Sequence, residues 1–494
     1  MLGIQDAVVV YGAVAFLFLL VVNTFLKFVK SPIRYVPGPW YTHFTQYVLK
    51  FKTLAGQRMH YVHSLHAKYG PIVRISPRQV AVADVDGFTK VHRIGSGFIK
   101  TQWYEDFIGG VDKTGGIGVG LFAMRDPKEH ARRRKMFARA FSTVSLRQNC
   151  EGVVREKVDQ AVSRIREEAS RGSSDILKWW MLMTSDVIGQ LSFGEPFGLL
   201  EAGKKNHYIE VLEATALGTT IQYELPWLYQ ICRYIPHPAV QLIINASGLV
   251  NSYGSKAAAN LYRNSDNKAN LFATMLAESE ASEKSQLTAE SIRCEASNFI
   301  VAGADTTSNT LTYIIWSILK HPDLHTRLQA ELDSVGDVFD DARLEKLPLL
   351  NAVIEETLRL YGAVPSNLSR VVPQEGASFG EYFIPGGFEV ETQAYTLHRN
   401  PDVFPDPLRF DEKRWLNSET LTPQQKTSFC PFGAGTRTCI GVHLARMELR
   451  LGTAALLKAC PGLKLSSEMK DSMMDMYNFF LAGPVGKRCE VTMK

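Results

Sequence analysis

The sequence is poor in cysteine, with seven in 494 residues and an odd number at that. Such sparse usage excludes a disulfide framework, and any cysteine with work to do is better read as a ligand or nucleophile. An excess of either charge is also missing. Lys plus Arg total 55 and Asp plus Glu 50, and the resulting +5 is too weak over this length to argue for nucleic acid as a partner. There is no internal repeat and no low-complexity linker; the polar stretch 277–285 (AESEASEKS) is the best linker candidate. No Gly-x-Gly-x-x-Gly follows a strand-like run. The glycine-rich stretch 114–121 (TGGIGVGL) reads as a flexible loop, so no flavin or nicotinamide domain is expected. What is present, 45% hydrophobic and 21% charged residues, is the balance of a folded globular protein.

Long apolar runs are absent after the first. Residues 7–26 (AVVVYGAVAFLFLLVVNTFL) are twenty positions without a charge. At about 1.5 Å per residue a helix of that length covers about 30 Å, the thickness of a bilayer core. Lys27, Lys30 and Arg34 follow it and only Asp6 precedes it, which orients the rest of the chain to the cytosol. A cleavable signal peptide would want a basic start and a small-residue cleavage site, and neither is there. Pro32, Pro37 and Pro39 cannot continue a helix. The expected division is therefore a membrane anchor over 1–29, a stiff proline-rich hinge over 30–40 and a catalytic domain over 41–494. In that topology the sequons at Asn245 and Asn367 never meet the glycosylation machinery.

Helical patterns cover 47–69, 129–171, 175–191, 288–319 and 349–361. Strand-like runs are few: 72–75 and 80–83, bounded by Gly-Pro and Ser-Pro, and short pieces between 371 and 395. The expected fold is mainly α with a minor β-sheet region. Length alone would allow three domains at about 150 residues each, but one large domain fits this pattern better. His60, His63 and His66 suggest a metal cluster until their geometry is considered. The outer pair is about 600° apart around a helix, so the three do not converge.

Residues 432–441 read FGAGTRTCIG. Phe432, Gly433, Gly435, Arg437, Cys439 and Gly441 would recur at these spacings by chance in roughly one chain of this length in 100,000. A thiolate ligand to haem iron must present its sulfur from a tight loop, with backbone N–H groups nearby to tune it. Glycines allow the turns and the close approach of backbone to a flat macrocycle. Arg437 suits a propionate, since a guanidinium matches a carboxylate bidentately. The stretch resembles the haem-binding loop of the cytochrome P450 superfamily, Phe-x-x-Gly-x-Arg-x-Cys-x-Gly, at every fixed position. The other six cysteines lack that frame and read as buried thiols.

The remaining marks of that family occur in order. Glu356-Thr-Leu-Arg359 has the Glu-x-x-Arg spacing, which puts both side chains on one helical face. Phe410-Asp-Glu-Lys-Arg414-Trp415 resembles the segment whose Arg completes a structural ion network, departing from the usual Pro-Glu-Arg core. Residues 302–307 (AGADTT) interrupt an apolar helix and resemble the oxygen-binding motif. By that resemblance Ala302 and Gly303 leave room for dioxygen, while Thr306 and Asp305 deliver protons. The alternative for Thr306 is a hydrogen bond back to the Ala302 carbonyl one turn earlier. His130 and Arg134, at i and i+4, match the family's propionate-binding pair, and Arg370 a further propionate arginine; a plain surface histidine is the competing reading for His130. Arg132, Arg133, Lys135 and Arg139 either face an acidic redox partner or form a solvated basic face.

The resemblance implies haem b held by Cys439, Arg437, His130, Arg134, Arg370, Phe432 and Gly433. It also implies electrons from a separate NADPH-cytochrome P450 reductase, assisted by cytochrome b5, at the endoplasmic reticulum membrane. The Asp305-Thr306 pair favours a monooxygenase over haem-thiolate isomerases, dehydratases or a non-catalytic membrane haem protein. Asn298, Ala302, Val364 and Phe479 are the expected substrate contacts, Asn298 because it shares an i, i+4 stripe with Ala302 and Thr306. The wider contact regions are 98–122, 197–231, 364–368 and 478–481. Their aromatic and aliphatic content points to a lipophilic substrate. Residues 68–77 and 126–142 resemble filamentous-fungal members that tailor terpenoid or polyketide secondary metabolites; fatty acids, sterols and xenobiotic aromatics are the competing classes.

Overall fold

The computed structural model describes residues 4–109, 120–204, 207–263, 271–272 and 289–494. The linker candidate 277–285 and most of the glycine-rich stretch, 114–119, lie outside the described residues. Helix α1 runs over Ile4–Lys30. Side chains of residues 4–10, 13, 17, 20 and 27 are not described, and among the described residues no helix is long and apolar enough to cross a membrane. The proline-rich segment after α1 is docked on the body. Ile33 and Val36 are buried beside Val80, Val82 and Phe379. The buried guanidinium of Arg74 donates to the carbonyls of Ile33, Arg34, Val36 and Pro39 and to Thr42 Oγ1, fixing a stretch whose prolines cannot donate hydrogen bonds to secondary structure.

The helical stretch expected over 47–69 is two helices, α2 (Tyr47–Leu54) and α3 (Arg58–Tyr69). They are divided at Gly56, whose φ of 68° is left-handed. The stretch expected over 129–171 is likewise split, into α4 (Pro127–Ala138), a short helix at Thr143–Asn149 and α5 (Glu151–Arg171). Asp126 caps α4 by accepting from the N–H groups of Lys128 and Glu129, with Pro127 in the first turn where no N–H is required. Next come α6 (Ile176–Phe193), capped by Asp175, then α7 (His207–Glu224) and α8 (Pro226–Cys232). The long helix α9 spans Ala289–Lys320, α10 spans Pro348–Tyr361 and α11 spans Val442–Ala459. Helix α9 packs along α6, α10 and α11. Buried Leu311, Tyr313, Ile314, Ile315 and Ile318 place its second half at the centre of the main core.

The minor sheet has five strands: β1 (Ile72–Ser76), β2 (Gln79–Val82), β3 (Ile99–Lys100), β4 (Leu368–Val371) and β5 (Glu389–Thr392), in the order β1-β2-β5-β4-β3. β2 and β5 are parallel and the other neighbours antiparallel. The β3–β4 register sets Lys100 opposite Arg370. A separate hairpin, β6 (Met476–Phe479) and β7 (Leu481–Pro484), turns at Phe480, a non-glycine residue at φ 95°.

Candidate active site

The haem-like loop is shaped by its glycines. Gly433 and Gly435 stand at φ 75° and 63°, and a Cβ on Gly435 would lie 2.0 Å from the His92 carbonyl oxygen. The Cys439 N–H donates to Phe432 O at 2.9 Å and closes the loop. Its sulfur faces a cavity bounded by α9, α4, β4 and the β6–β7 turn. Burial pushes the Cys439 thiol up, opposed by the Gly441 N–H and the charge of Arg134.

One rim of the same cavity gathers cations. Lys100 and Arg370 come from paired strands, Arg437 from the loop, and His130 and Arg134 from one face of α4. Every hydrogen bond that Lys100, Arg134, Arg370 and Arg437 make among the described residues goes to a neutral oxygen. Lys100 Nζ donates to Phe122 O and Arg134 to Thr438 O. Arg370 donates to Tyr104 Oη and Ser369 O, and Arg437 to Met124 O at 2.6 Å and Arg125 O at 3.0 Å. Burial and the mutual repulsion with Arg370 and Arg437 hold the Lys100 amine well below its usual range. Burial, then Arg370, brings Arg437 down to about 10, and burial, then Arg437 and Lys100, brings His130 down to about 3. Like charges directly opposed across strands are destabilising, so this arrangement calls for an anion. The two propionates of haem b fit it, and the sulfur below an apolar chamber fits the iron and macrocycle. His130, Arg134, Arg370, Arg437 and Cys439 are thus brought together, with Phe432 and Gly433 also on the wall.

Lys100 is missing from the sequence-based site. Its only local signal is a lysine ending an apolar strand, whereas its role comes from a partner 270 residues away. Glu448 on α11 is another: it is buried on the cavity wall and accepts a hydrogen bond from Thr307, and burial raises its carboxyl to about 8.

On the opposite wall, Asp305, Thr306, Ala302 and Asn298 line the cavity from α9. Thr306 Oγ1 donates to Ala302 O at 2.8 Å, the alternative contact allowed by the sequence. Gly303 also lines the cavity, and a Cβ there would stand 2.8 Å from Ile188 Cγ1, so the glycine additionally permits the close approach of α6 to α9. Arg133 requires a correction: it is buried and meets Glu295 Oε1 at 3.3 Å, so it does not join the basic face suggested for Arg132, Lys135 and Arg139. Val364 and Phe479 line the cavity, as do Thr215, Ala216 and Thr219 of α7, whereas Asn478 is buried outside it against Ser366. Phe107, Phe122 and Phe480 form an aromatic side, with ring centroids 5.3 to 5.5 Å from Phe480.

Behind the site, Glu356 receives Arg359 through two bonds at 2.7 and 2.8 Å, Trp415 Nε1 at 2.8 Å and the Asp411 N–H at 2.9 Å. Arg414 Nε lies 3.4 Å from the same carboxylate. Arg359 also donates to the carbonyls of His398, Pro407 and Arg409. His60, His63 and His66 diverge, onto Met476 O, Thr396 Oγ1 and Gly70 O.

A cysteine facing a chamber rimmed by buried cations whose hydrogen bonds go to neutral oxygens is the cradle of a haem-thiolate protein. The chain matches the family profile "Cytochrome P450" over residues 36–486 and belongs to that family. It is similar to Cytochrome P450 monooxygenase stcB of Emericella nidulans, 37% identical over 94% of this chain and 89% of that protein. Cytochrome P450 monooxygenase tazI of Aspergillus terreus is 38% identical, covering 97% of each chain. Benzoate 4-monooxygenase bphA of Aspergillus niger is 30% identical over 89% of this chain and 90% of its own. The fold of this chain is that of the crystallised cytochrome P450DA haem domain, at a TM-score of 0.75 and 20% identity over 93% of this chain and 98% of that one. The protein is therefore a haem-thiolate monooxygenase acting on a small molecule, with electrons drawn from NADPH through a separate reductase.

Proposed function

We propose that this monooxygenase hydroxylates a flat, lipophilic aromatic intermediate of fungal secondary metabolism, of the polyketide class in preference to the terpenoid. The aromatic side formed by Tyr104, Phe107, Phe122 and Phe480 carries this reading, because aromatic rings pack best against other rings in offset or edge-on contact. The fungal monooxygenases similar to this chain support it, and one of them is named for an aromatic substrate. Overall, substrate, dioxygen, two electrons and two protons give hydroxylated product and water. Bound haem would supply the activation of dioxygen; Cys439 would hold the iron, and Lys100, His130, Arg134, Arg370 and Arg437 would hold the propionates. Asp305 and Thr306 supply protons, the Thr306 hydroxyl turning from the Ala302 carbonyl toward the cavity.

Metabolite profiling by accurate mass, with wild type and Thr306→Ala expressed in cells lacking the native gene, tests this. Wild type should convert an aromatic precursor to a product heavier by one oxygen. Thr306→Ala should lose most of that product and release peroxide instead. A non-aromatic precursor overturns the substrate class, and full activity of Thr306→Ala overturns the proton-delivery role.

The same reading places the protein on the endoplasmic reticulum membrane, anchored by α1 with its body in the cytosol and with cytochrome b5 as an auxiliary electron donor. Tyr11, Phe16, Phe18 and Phe25 are exposed along α1. The apolar surface continues through Trp40, Phe44, Tyr47 and Phe51 and reappears at Trp227, Ile231 and Tyr234, beside α7. Alkaline carbonate washing should leave the full chain in membranes and release more of a variant lacking residues 1–29; equal release of both would refute the anchor.

A further inference from the structure

The two sides of the cavity are tied together by one short strap, residues 120–125. It begins on α9, where the Leu121 N–H donates to Glu295 Oε1 at 2.8 Å and the Gly120 N–H to the Cys294 sulfur. A Cβ on Gly120 would stand 2.1 Å from Asn298 Nδ2, so the strap crosses the helix at a point with no room for a side chain. Its other end rests on the cation cluster. Phe122 O accepts from Lys100, and the carbonyls of Met124 and Arg125 accept from Arg437. Between the two fastenings the Phe122 ring stands in the cavity, edge-on to Tyr104 and Phe480. Glu295 is 1% exposed, and its one other partner among the described residues is Arg133 Nη1 at 3.3 Å.

We infer that Glu295 is a specificity-determining positioning residue: by fastening Leu121 to α9 it sets where the Phe122 ring and the Asn298 amide stand, and so which substrate shapes fit. This rests on the cavity being the substrate pocket of the monooxygenase, but not on any one substrate. A carboxylate accepting a buried N–H makes a strong bond, and its removal leaves the N–H unsatisfied in a dry place and Arg133 with only Glu129, 4.0 Å away. Glutamine keeps an acceptor for the Leu121 N–H while giving up the ion pair, so Glu295→Gln separates positioning from charge pairing.

The experiment compares wild-type holoenzyme with Glu295→Ala, Glu295→Gln and Gly120→Ala. Imidazole and 1-phenylimidazole are titrated by their optical shifts, and exchange of the Leu121 amide is followed by mass spectrometry. The lost hydrogen bond should weaken 1-phenylimidazole by about tenfold in Glu295→Ala and speed Leu121 exchange by a similar factor. Imidazole, too small to reach Phe122, should change less than about twofold. Glu295→Gln should stay close to wild type. Unchanged discrimination and exchange in Glu295→Ala overturn the proposal, and so does a Glu295→Gln as impaired as the alanine variant. Should Glu295→Ala not fold, Gly120→Ala decides: it lifts the strap without touching a charge, and wild-type discrimination in it also refutes the assignment. A wild-type protein that binds neither azole would instead strike the haem-thiolate reading, and the exchange measurement still decides the role of Glu295.

Discussion

Two buried clusters of charge lie on either side of the Cys439 loop, and they are built on opposite rules. Around Glu356 the charges are paired: the carboxylate accepts from Arg359, Trp415 and a backbone N–H with Arg414 Nε 3.4 Å away, and Arg359 fills its remaining donors with three carbonyls. Around Arg437 the cations face one another, and their hydrogen bonds among the described residues go to neutral oxygens. A paired buried network is costly to break, whereas repelling cations without a counter-charge cost stability until their ligand arrives. The first therefore marks structure and the second a binding site. The family resemblance already assigns the two clusters these roles, and their hydrogen bonds supply the physical ground for the distinction.

The largest expected effect tests the satisfied cluster. Glu356→Ala strands Arg359 in the core, and breaking a buried pair in this way costs about 3–5 kcal/mol. Chemical denaturation should show that loss, or no folded protein at all; a wild-type midpoint would mean the network is dispensable. Lys100→Met should behave in the opposite sense. Removing one of several repelling cations is expected to raise the melting temperature of the haem-free protein while weakening haem retention against a competing apo-globin. A fall in both would place Lys100 with the structural charges and erase the contrast.

Glu448 offers a third and smaller case, a buried acid with no cation acting on it among the described residues. Its carboxyl is raised from 4.5 to about 8 by burial, so the folded state binds the proton more tightly than the unfolded chain. That contribution is complete below pH 4.5 and is lost as pH rises toward 8, at no more than about 1.4 kcal/mol per pH unit. Glu448→Gln should flatten the decline of stability between pH 5 and 8, as read by denaturant titrations at several pH values. A slope equal to that of the wild type would show that Glu448 is ionised in the fold.

How much of this could be read in the sequence follows from the distance over which each feature acts. The Cys439 loop is legible because its glycines, Arg437 and cysteine act within ten residues. Glu356 and Arg359 are legible because one helical turn brings them together. Helices α6, α9 and α10 lie close to their expected bounds, with the Asp175 cap opening α6 and Pro348 opening α10. The divisions at 55–57 and 139–150 are hidden, because a single glycine, or a serine that caps the start of the next helix, divides helices without interrupting the apolar period. Helix α11, which carries Glu448, begins directly after the Cys439 loop and was overshadowed by it.

The sequence by itself determined the ligand loop, the ion-pair helix, the acid-alcohol pair at 305–306 and the mainly helical class, all of which depend on neighbours a few residues apart. Only the tertiary structure decided that Lys100 opposes Arg370, that Arg133 turns inward to Glu295, and that Gly303 makes way for Ile188. Those outcomes depend on which surfaces meet, and close packing and the burial of charge are properties of segments that the chain keeps more than a hundred residues apart.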